Sequence, residues 1–241
     1  GRAPRLPDLL AELARDLVFR LQLLGLAILI ALYALPLVSA EFLTAFSSQW
    51  LCVSFMILPV VACLRDPGSL GPSERLFWRI LAVSFGSWLA ALVTYGAVPD
   101  SSWGSAWDIT VNVLYLSFYI TFLLAIDLRP DVSPASAVSR PDRWLRGLGI
   151  SAFVVCWMLY AVVVPDALSG DATKRLVMGS VWYVVLDVTI IARLLVTWRA
   201  AASGRWRWLY GGLCVASVAL LGTDARNVLD AHGLVRVSSP D

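Results

Sequence analysis

The chain has 241 residues, of which 59% are hydrophobic and only 15% charged; its formal net charge is +2 and its mean hydropathy +0.76. A soluble domain is usually about 45–50% apolar and about 25% charged. The composition excludes an ordinary soluble domain, and the small net charge gives no reason to expect a nucleic-acid partner.

Long windows without a charged residue divide the chain, and each is close to the ~20 residues that a helix needs to cross a bilayer. The pattern predicts an all-α, polytopic transmembrane helix bundle of about seven spans. Five windows are free of charge and two contain internal charges; in chain order they are 21–40, 42–64, 80–99, 109–126, 147–165, 176–198 and 208–229.

The segments outside these windows suggest the domain organisation. Residues 1–16 have apolar side chains at helical spacing, which predicts either an amphipathic helix on the inner membrane surface or a cytoplasmic extension of the first span. Residues 17–232 are predicted to form the seven-helix domain, and 233–241 an extracytoplasmic tail or a link to a further span. The loop 127–144 is rich in Pro, Ser and Arg and indicates a flexible cytoplasmic linker. Because the chain begins with Gly1, we expect a fragment or a processed form.

Arginine and lysine sort by loop. With seven spans, 15 of the 19 fall on the side that holds the N-terminus and 4 on the other. Positive residues are retained in the cytoplasm. The N-terminus is therefore predicted to be cytoplasmic.

Polar residues recur at helical spacing in four of the predicted spans, and in lipid such a face turns toward other helices or a cavity. Counted along each helix, the stripes converge on the outer half of the bundle. We expect an outward-facing, aromatic-lined pocket there; the alternative is interhelical hydrogen bonding that only fixes helix packing. The candidate ligand-binding or gating residues are Trp88 and Tyr95 in the third span; Asp108, Asn112, Tyr115 and Tyr119 in the fourth; Trp182, Tyr183 and Asp187 in the sixth; and Asp224 and Arg226 in the seventh.

Asp187 is the most informative of these residues. It lies in the apolar run WYVVLDVTIIARLL, near the predicted midplane. An Asp at a helix centre costs ~2.5–3.5 kcal/mol on insertion scales, so a partner or water is expected. We therefore place Asp187 at the floor of the pocket with a functional or gating role, and Asp224 near the outer end of its span.

Several kinds of site are excluded by residue type. A retinal Schiff base needs a lysine inside the bundle, but the sole lysine, Lys174, lies at its outer mouth. Haem held by two histidines fails because the sole histidine is His232. The four cysteines lack metal-ligand spacing. No catalytic residue, metal or cofactor is predicted, and the chain itself is not expected to be an enzyme.

Three segments, 74–93, 103–128 and 182–198, resemble the N-terminal membrane-sensor regions of bacterial signalling proteins. Such regions precede diguanylate cyclase (GGDEF), EAL phosphodiesterase or sensor histidine kinase domains. The fourth-span pattern is matched in part by Trp107-Asp108, where Trp107 departs from the usual alanine, together with Tyr115-Leu116 and Tyr119. The remaining matches are Tyr183 and Asp187 in the sixth span and Asp224 in the seventh.

The resemblance implies a signal-input domain that binds a small extracytoplasmic or membrane ligand. It would relay a helix rearrangement to a cytoplasmic output domain or partner, for instance in cyclic-di-GMP or histidine-kinase signalling, and would work as a homodimer. Seven spans leave the C-terminus outside, so the resemblance further implies another span and an output domain after Asp241. The alternatives are a small proton- or cation-coupled transporter that uses Asp187, and a structural membrane scaffold.

Overall fold

The computed structural model describes residues 17, 20, 21, 24, 27, 50–65, 71–97, 105–132, 140–159 and 172–231. Every regular element within these residues is helical. The predicted segments 1–16 and 233–241, and most of the first predicted span, lie outside them. The helices are α1 (Trp50–Leu64), α2 (Pro72–Ala97), α3 (Ser105–Leu128), α4 (Arg140–Met158), α5 (Ala172–Arg199) and α6 (Gly204–Ala231).

Four of the helices are long and apolar enough to cross a membrane, and α4 has a shorter apolar stretch over Gly147–Trp157. This confirms the predicted helical class and agrees with a membrane bundle. The total of about seven spans and the side of the N-terminus stay predictions. The four membrane-length stretches are Pro72–Thr94 in α2, Thr110–Leu128 in α3, Val181–Arg199 in α5 and Gly204–Arg226 in α6.

The chain divides into two compact units, and the first comprises Gly1–Leu128. Within it α2 packs against both α1 and α3. The ring of Phe85 contacts that of Phe122, whereas Trp88, one turn later in α2, contacts Phe118, one turn earlier in α3. Contacts that advance along one helix and retreat along the other show that α2 and α3 form an antiparallel hairpin.

The second unit comprises Arg129–Asp241 and is built around α5 and α6. The Trp198 indole packs against Gly211, and further from the turn the side chain of Asp187 bonds that of Asp224. These two helices are therefore also an antiparallel hairpin, and α4 contacts α5 more lightly.

The two faces of α5 differ in burial although both are apolar, as expected for a helix in lipid. One stripe repeats every four residues and is fully buried; its members are Trp182, Leu186, Ile190 and Leu194. The opposite face is apolar yet exposed, as at Val188 and Val196. An apolar outer face is stable when hydrocarbon rather than water surrounds the helix. The buried side chains of α5 are therefore those that pack against other helices.

Candidate functional site

Asp187 and Asp224, one on each helix of the α5–α6 hairpin, are joined by a side-chain hydrogen bond. Asp187 is fully buried and Asp224 is half-buried. A carboxylate has no donor, so a hydrogen bond between two carboxyl groups requires that one of them carry a proton. Two ionised carboxylates side by side in a low-dielectric interior would repel each other. The structure therefore brings carboxyl groups of two helices close enough to share a proton.

The two aspartates lie at one depth, which corrects the sequence interpretation. Asp187 was expected near the midplane and Asp224 near the outer end of its span. The predicted separation was wrong because the depth of each residue was counted from the end of its own helix. The two helices are offset along their axes, since Trp198 at the end of α5 packs against Gly211, well inside α6. Along α5, Asp187 precedes Arg199 by 12 residues, or about 18 Å of helix, and its position at the midplane of a membrane stays a prediction.

The remaining candidates in this unit flank the carboxyl pair along the helices. Trp182 is fully buried and Tyr183 half-buried, and their rings lie against each other with centroids 4.4 Å apart. Both precede Asp187 on α5 by about one turn. Arg226, two residues beyond Asp224 on α6, is exposed.

The candidates in the first unit lie in the α2–α3 hairpin. Trp88 packs on Phe118 with ring centroids 5.1 Å apart, and the buried Tyr119 contacts the edge of the same ring at 5.0 Å. Asn112 and Tyr115 are half-buried on α3. The contact with Phe118 makes Trp88 part of the α2–α3 interface. The side chains of Tyr95 and Asp108 lie outside the described residues, and a single pocket formed by all four stripes stays a prediction.

Most described hydroxyl groups in the long helices bond to a carbonyl of their own helix. Satisfying a hydroxyl in this way leaves it little capacity to bind a ligand. Ser84 differs from these, because its Oγ donates across to the Phe118 carbonyl oxygen of the neighbouring helix at 3.0 Å. The hydroxyls bonded within their own helix belong to Thr94, Ser117, Thr121, Thr189, Thr197, Ser217 and Thr223.

A second polar centre, which the sequence did not suggest, lies at the turn between α5 and α6. The Asp131 side chain is wholly buried and accepts hydrogen bonds from the Arg129 guanidinium, the Ala202 amide and the Tyr210 hydroxyl. The guanidinium donates twice to Asp131, at 3.1 Å each, and once to the Ala200 carbonyl at 2.9 Å. These five residues are called the Asp131 cluster below.

The local backbone explains why Arg129 reaches this position. α3 ends at Leu128, and Arg129 then adopts a φ of 45°, the left-handed conformation that ends many helices and favours glycine. An L-residue there costs about 1–2 kcal/mol. The three hydrogen bonds of the Arg129 side chain offset that strain. The flexible linker predicted for 127–144 is therefore wrong for 129–132, and also for 127–128 and 140–144, which belong to α3 and α4; residues 133–139 lie outside the described residues.

The charge state of Asp131 follows from its partners. Burial by itself raises the pKa of the carboxyl. The hydrogen bonds from Arg129, the Ala202 amide and Tyr210, together with the Arg129 charge, outweigh burial and hold the pKa of Asp131 below its ordinary value. Asp131 is thus ionised at neutral pH, and the cluster contains a charged bidentate pair.

Within the described residues, no group of three or more His, Cys, Asp or Glu side chains is placed to hold a metal ion. The arrangement offers instead a proton shared between two helices and an ion pair that fixes their turn. The chain matches no protein-family model, no curated protein and no solved structure.

Proposed function

We propose that the chain is a membrane-embedded signal-input domain in which the α5–α6 hairpin is the sensing element. An extracytoplasmic or membrane-borne ligand would bind beside the Asp187–Asp224 pair and favour one arrangement of the two helices. Such a ligand acts through its difference in affinity for the two arrangements.

The buried carboxyl pair is the observation that carries the proposal. An isolated Asp in the middle of a span is costly, and burying a polar pair is an expensive means of packing two helices that already have apolar faces. A shared proton, by contrast, makes the fit between α5 and α6 depend on whatever displaces or stabilises that proton. The pair therefore suits a switch better than it suits a scaffold.

The Asp131 cluster supports the second half of the proposal, the relay. It ties the turn of the hairpin to the segment that follows α3. A shift of α5 against α6 at the aspartates would reach this turn through two continuous helices. The turn is basic, with Arg199, Arg205 and Arg207, and lies on the side that we propose to be cytoplasmic, where an output domain or partner would read it.

The same cluster supports the proposed topology of about seven spans with a cytoplasmic N-terminus. Residues 129–131 contact residues 200–202, so both segments lie on one side of the unit. The chain between them must then cross the membrane an even number of times. With α5 as one crossing, α4 and the residues after it would supply the other, as predicted for 147–165.

The resemblance supports a bacterial inner-membrane location, a homodimer, and a cyclic-di-GMP or histidine-kinase output domain as the receiver. These are parts of the proposal with no further support from contacts in the chain.

Ligand-screened thermal unfolding of the purified chain tests the proposal, with Asp187→Asn as the matched variant. The amide preserves size and can still donate to Asp224, but it removes the need for a shared proton. We expect at least one compound to raise the unfolding midpoint of the wild type and to lose that effect in Asp187→Asn. Ser217→Ala, which alters a hydroxyl bonded within α6, is the control and should respond like the wild type. Compounds that shift all three proteins equally would refute a role for the pair in binding.

A proton- or cation-coupled transporter is the second candidate, and the same pair favours it, because two carboxyl groups that share a proton within a span also suit a carrier. Proteoliposomes with an imposed pH gradient separate the two functions. Proton-driven uptake that is absent in Asp187→Asn would favour transport, whereas a ligand-dependent stability shift without uptake would favour sensing.

A further inference from the structure

The turn between α5 and α6 has a second property, which does not depend on the proposed sensing function. Five exposed side chains surround it: Trp198, Arg199, Arg205, Arg207 and Trp208. They are called the basic turn below. Trp198 and Trp208 are 39% and 59% exposed, which is high for tryptophan in a helix pair that buries Trp182 and Trp206.

The geometry of α6 distributes these side chains around its first turns. Trp206 and Tyr210 are buried and define the face toward the rest of the unit. Arg205 and Arg207 therefore flank that face on opposite sides, at about 100° from Trp206 in either direction. Arg207 shares a side of α6 with Gly211, against which Trp198 packs.

The charged residues at the N-terminus of α6 have the opposite sign to those usually found at a helix N-terminus. The N-terminus of a helix carries a partial positive charge, and acidic residues normally occupy the first turn. The first turn of α6, which the structure describes in full, has no acidic residue and has Arg205 and Arg207 instead. Asp131, the carboxylate held at this turn, is fully buried and committed to Arg129, Ala202 and Tyr210. The helix end and the exposed arginines therefore concentrate positive charge at this turn, where the Arg205 guanidinium also lies 5.8 Å from the centroid of the Trp206 ring.

The position of the basic turn relative to the apolar helices indicates what kind of anion would bind there. Arg199 is the last residue of one membrane-length stretch and Gly204 the first of the next. The turn thus lies at a membrane–water boundary, the level of the lipid phosphates. Tryptophan is enriched at that level because its ring is amphipathic. We propose that the basic turn binds the headgroup phosphate of an anionic phospholipid, with Arg199, Arg205 and Arg207 as its cations and the two tryptophans beside the glycerol region.

Lipid binding to the full chain in a non-ionic detergent tests this inference. Native mass spectrometry measures the apparent affinity for phosphatidylglycerol against phosphatidylcholine. Each arginine near an anionic surface contributes about five-fold in affinity, so Arg205→Gln/Arg207→Gln should weaken phosphatidylglycerol binding about 25-fold. Binding of phosphatidylcholine should not change. The charge-preserving Arg205→Lys/Arg207→Lys variant should retain most of the preference.

The matched control is Arg75→Gln/Arg79→Gln, which removes two exposed arginines near the start of α2, a helix that has Glu74 in its first turn. This variant should retain the wild-type preference. An equal loss in the control, or an unchanged preference in the α6 variant, would overturn the inference. So would inorganic phosphate that displaces the lipid at equal concentration.

Should the glutamine variant fail to fold by circular dichroism, wild-type binding at low and high salt decides the question. Headgroup binding through charge must weaken when about 0.5 M salt screens the arginines. Unchanged phosphatidylglycerol affinity would refute it.

Discussion

The α2–α3 and α5–α6 hairpins have the same architecture and are held together by different chemistry. Both are antiparallel pairs of membrane-length helices. Tilted aromatic ring contacts and the neutral hydrogen bond from Ser84 to the Phe118 carbonyl join the first. A carboxyl pair joins the helices of the second, and the Arg129–Asp131 ion pair bonds to their turn and to Tyr210.

The two hairpins differ in whether a change in protonation can alter the contacts between their helices. Apolar and aromatic contacts, and a hydroxyl bonded to a carbonyl, do not change with protonation in the range where proteins are folded. Carboxyl groups do, and their interactions are strongest where water is scarce. On these contacts we propose to call α2–α3 the invariant hairpin and α5–α6 the responsive one, in line with the sensing role proposed for the second unit.

The largest loss of stability is expected for Asp131→Ala, which removes the central hydrogen-bond acceptor of the Asp131 cluster at the turn of the responsive hairpin. The change leaves the guanidinium of Arg129, the amide of Ala202 and the hydroxyl of Tyr210 without their acceptor. Removing one partner of a buried ion pair costs about 3–5 kcal/mol, and we expect the lower end because Arg129 is partly exposed. Unfolding by SDS in mixed micelles measures the loss. A loss below about 0.5 kcal/mol would mean that the cluster does not stabilise the fold.

Acidification should weaken the same cluster, and the direction follows from the lowered pKa of Asp131. A carboxyl whose pKa is lower in the folded protein stabilises it above the unfolded-state pKa, and the contribution disappears as pH falls through the folded value. The loss should therefore occur below about pH 4. Hydrogen exchange of the Ala202 amide, corrected for intrinsic rate, would show it. Asp131→Asn should remove this pH dependence, and an amide that remains equally protected at about pH 3 would contradict the assignment.

A double-mutant cycle measures the carboxyl pair. Asp187→Leu, Asp224→Leu and the double variant should give a coupling of about 1 kcal/mol, the upper part of the range for interhelical hydrogen bonds in membranes. The double variant should be at least as stable as either single one, because it leaves no carboxyl without a partner. Additive effects would show that the two aspartates act independently and would remove the proposed switch.

The smallest effect is expected in the invariant hairpin. Ser84→Ala removes the bond between α2 and α3 and should cost about 0.5–1 kcal/mol in the same unfolding assay. Thr189→Val is the matched control, since its hydroxyl bonds the Val185 carbonyl of its own helix, and it should cost less. Equal losses would mean that Ser84 contributes no more between helices than a hydroxyl does within one.

The membrane-length helices were predictable from the sequence because lipid leaves the chain few alternatives. The windows 80–99, 109–126, 176–198 and 208–229 correspond to α2, α3, α5 and α6, each of which extends several residues further at one or both ends. The windows fell short because charged side chains at helix ends can reach the interface while their backbone stays helical. The buried face of α6 includes Tyr210, Cys214 and Ser217, which recur at helical spacing in the sequence.

The polar contacts were harder to predict, for two physical reasons. The meeting of Asp187 and Asp224 depends on the offset between two helices, which a count from helix ends does not reveal. Asp131 stands in a Pro- and Ser-rich loop where an acidic residue normally signals solvent exposure. Arg129 and Asp131 are near enough in the sequence to pair locally, but the partner Tyr210 lies 79 residues after Asp131 and no sequence pattern connects them.

The Asp131 cluster also has a consequence for the order in which the unit assembles. Its contacts join residues separated by 71 and 79 positions in the chain, an interval that contains α4 and α5. Closing so long a loop is entropically costly until the intervening helices are inserted. The Arg129–Asp131 pair, only two residues apart, can form as soon as it is synthesised. During synthesis, then, the carboxylate would have its first cation long before Ala202 and Tyr210 emerge, and their arrival would mark the completion of the second unit.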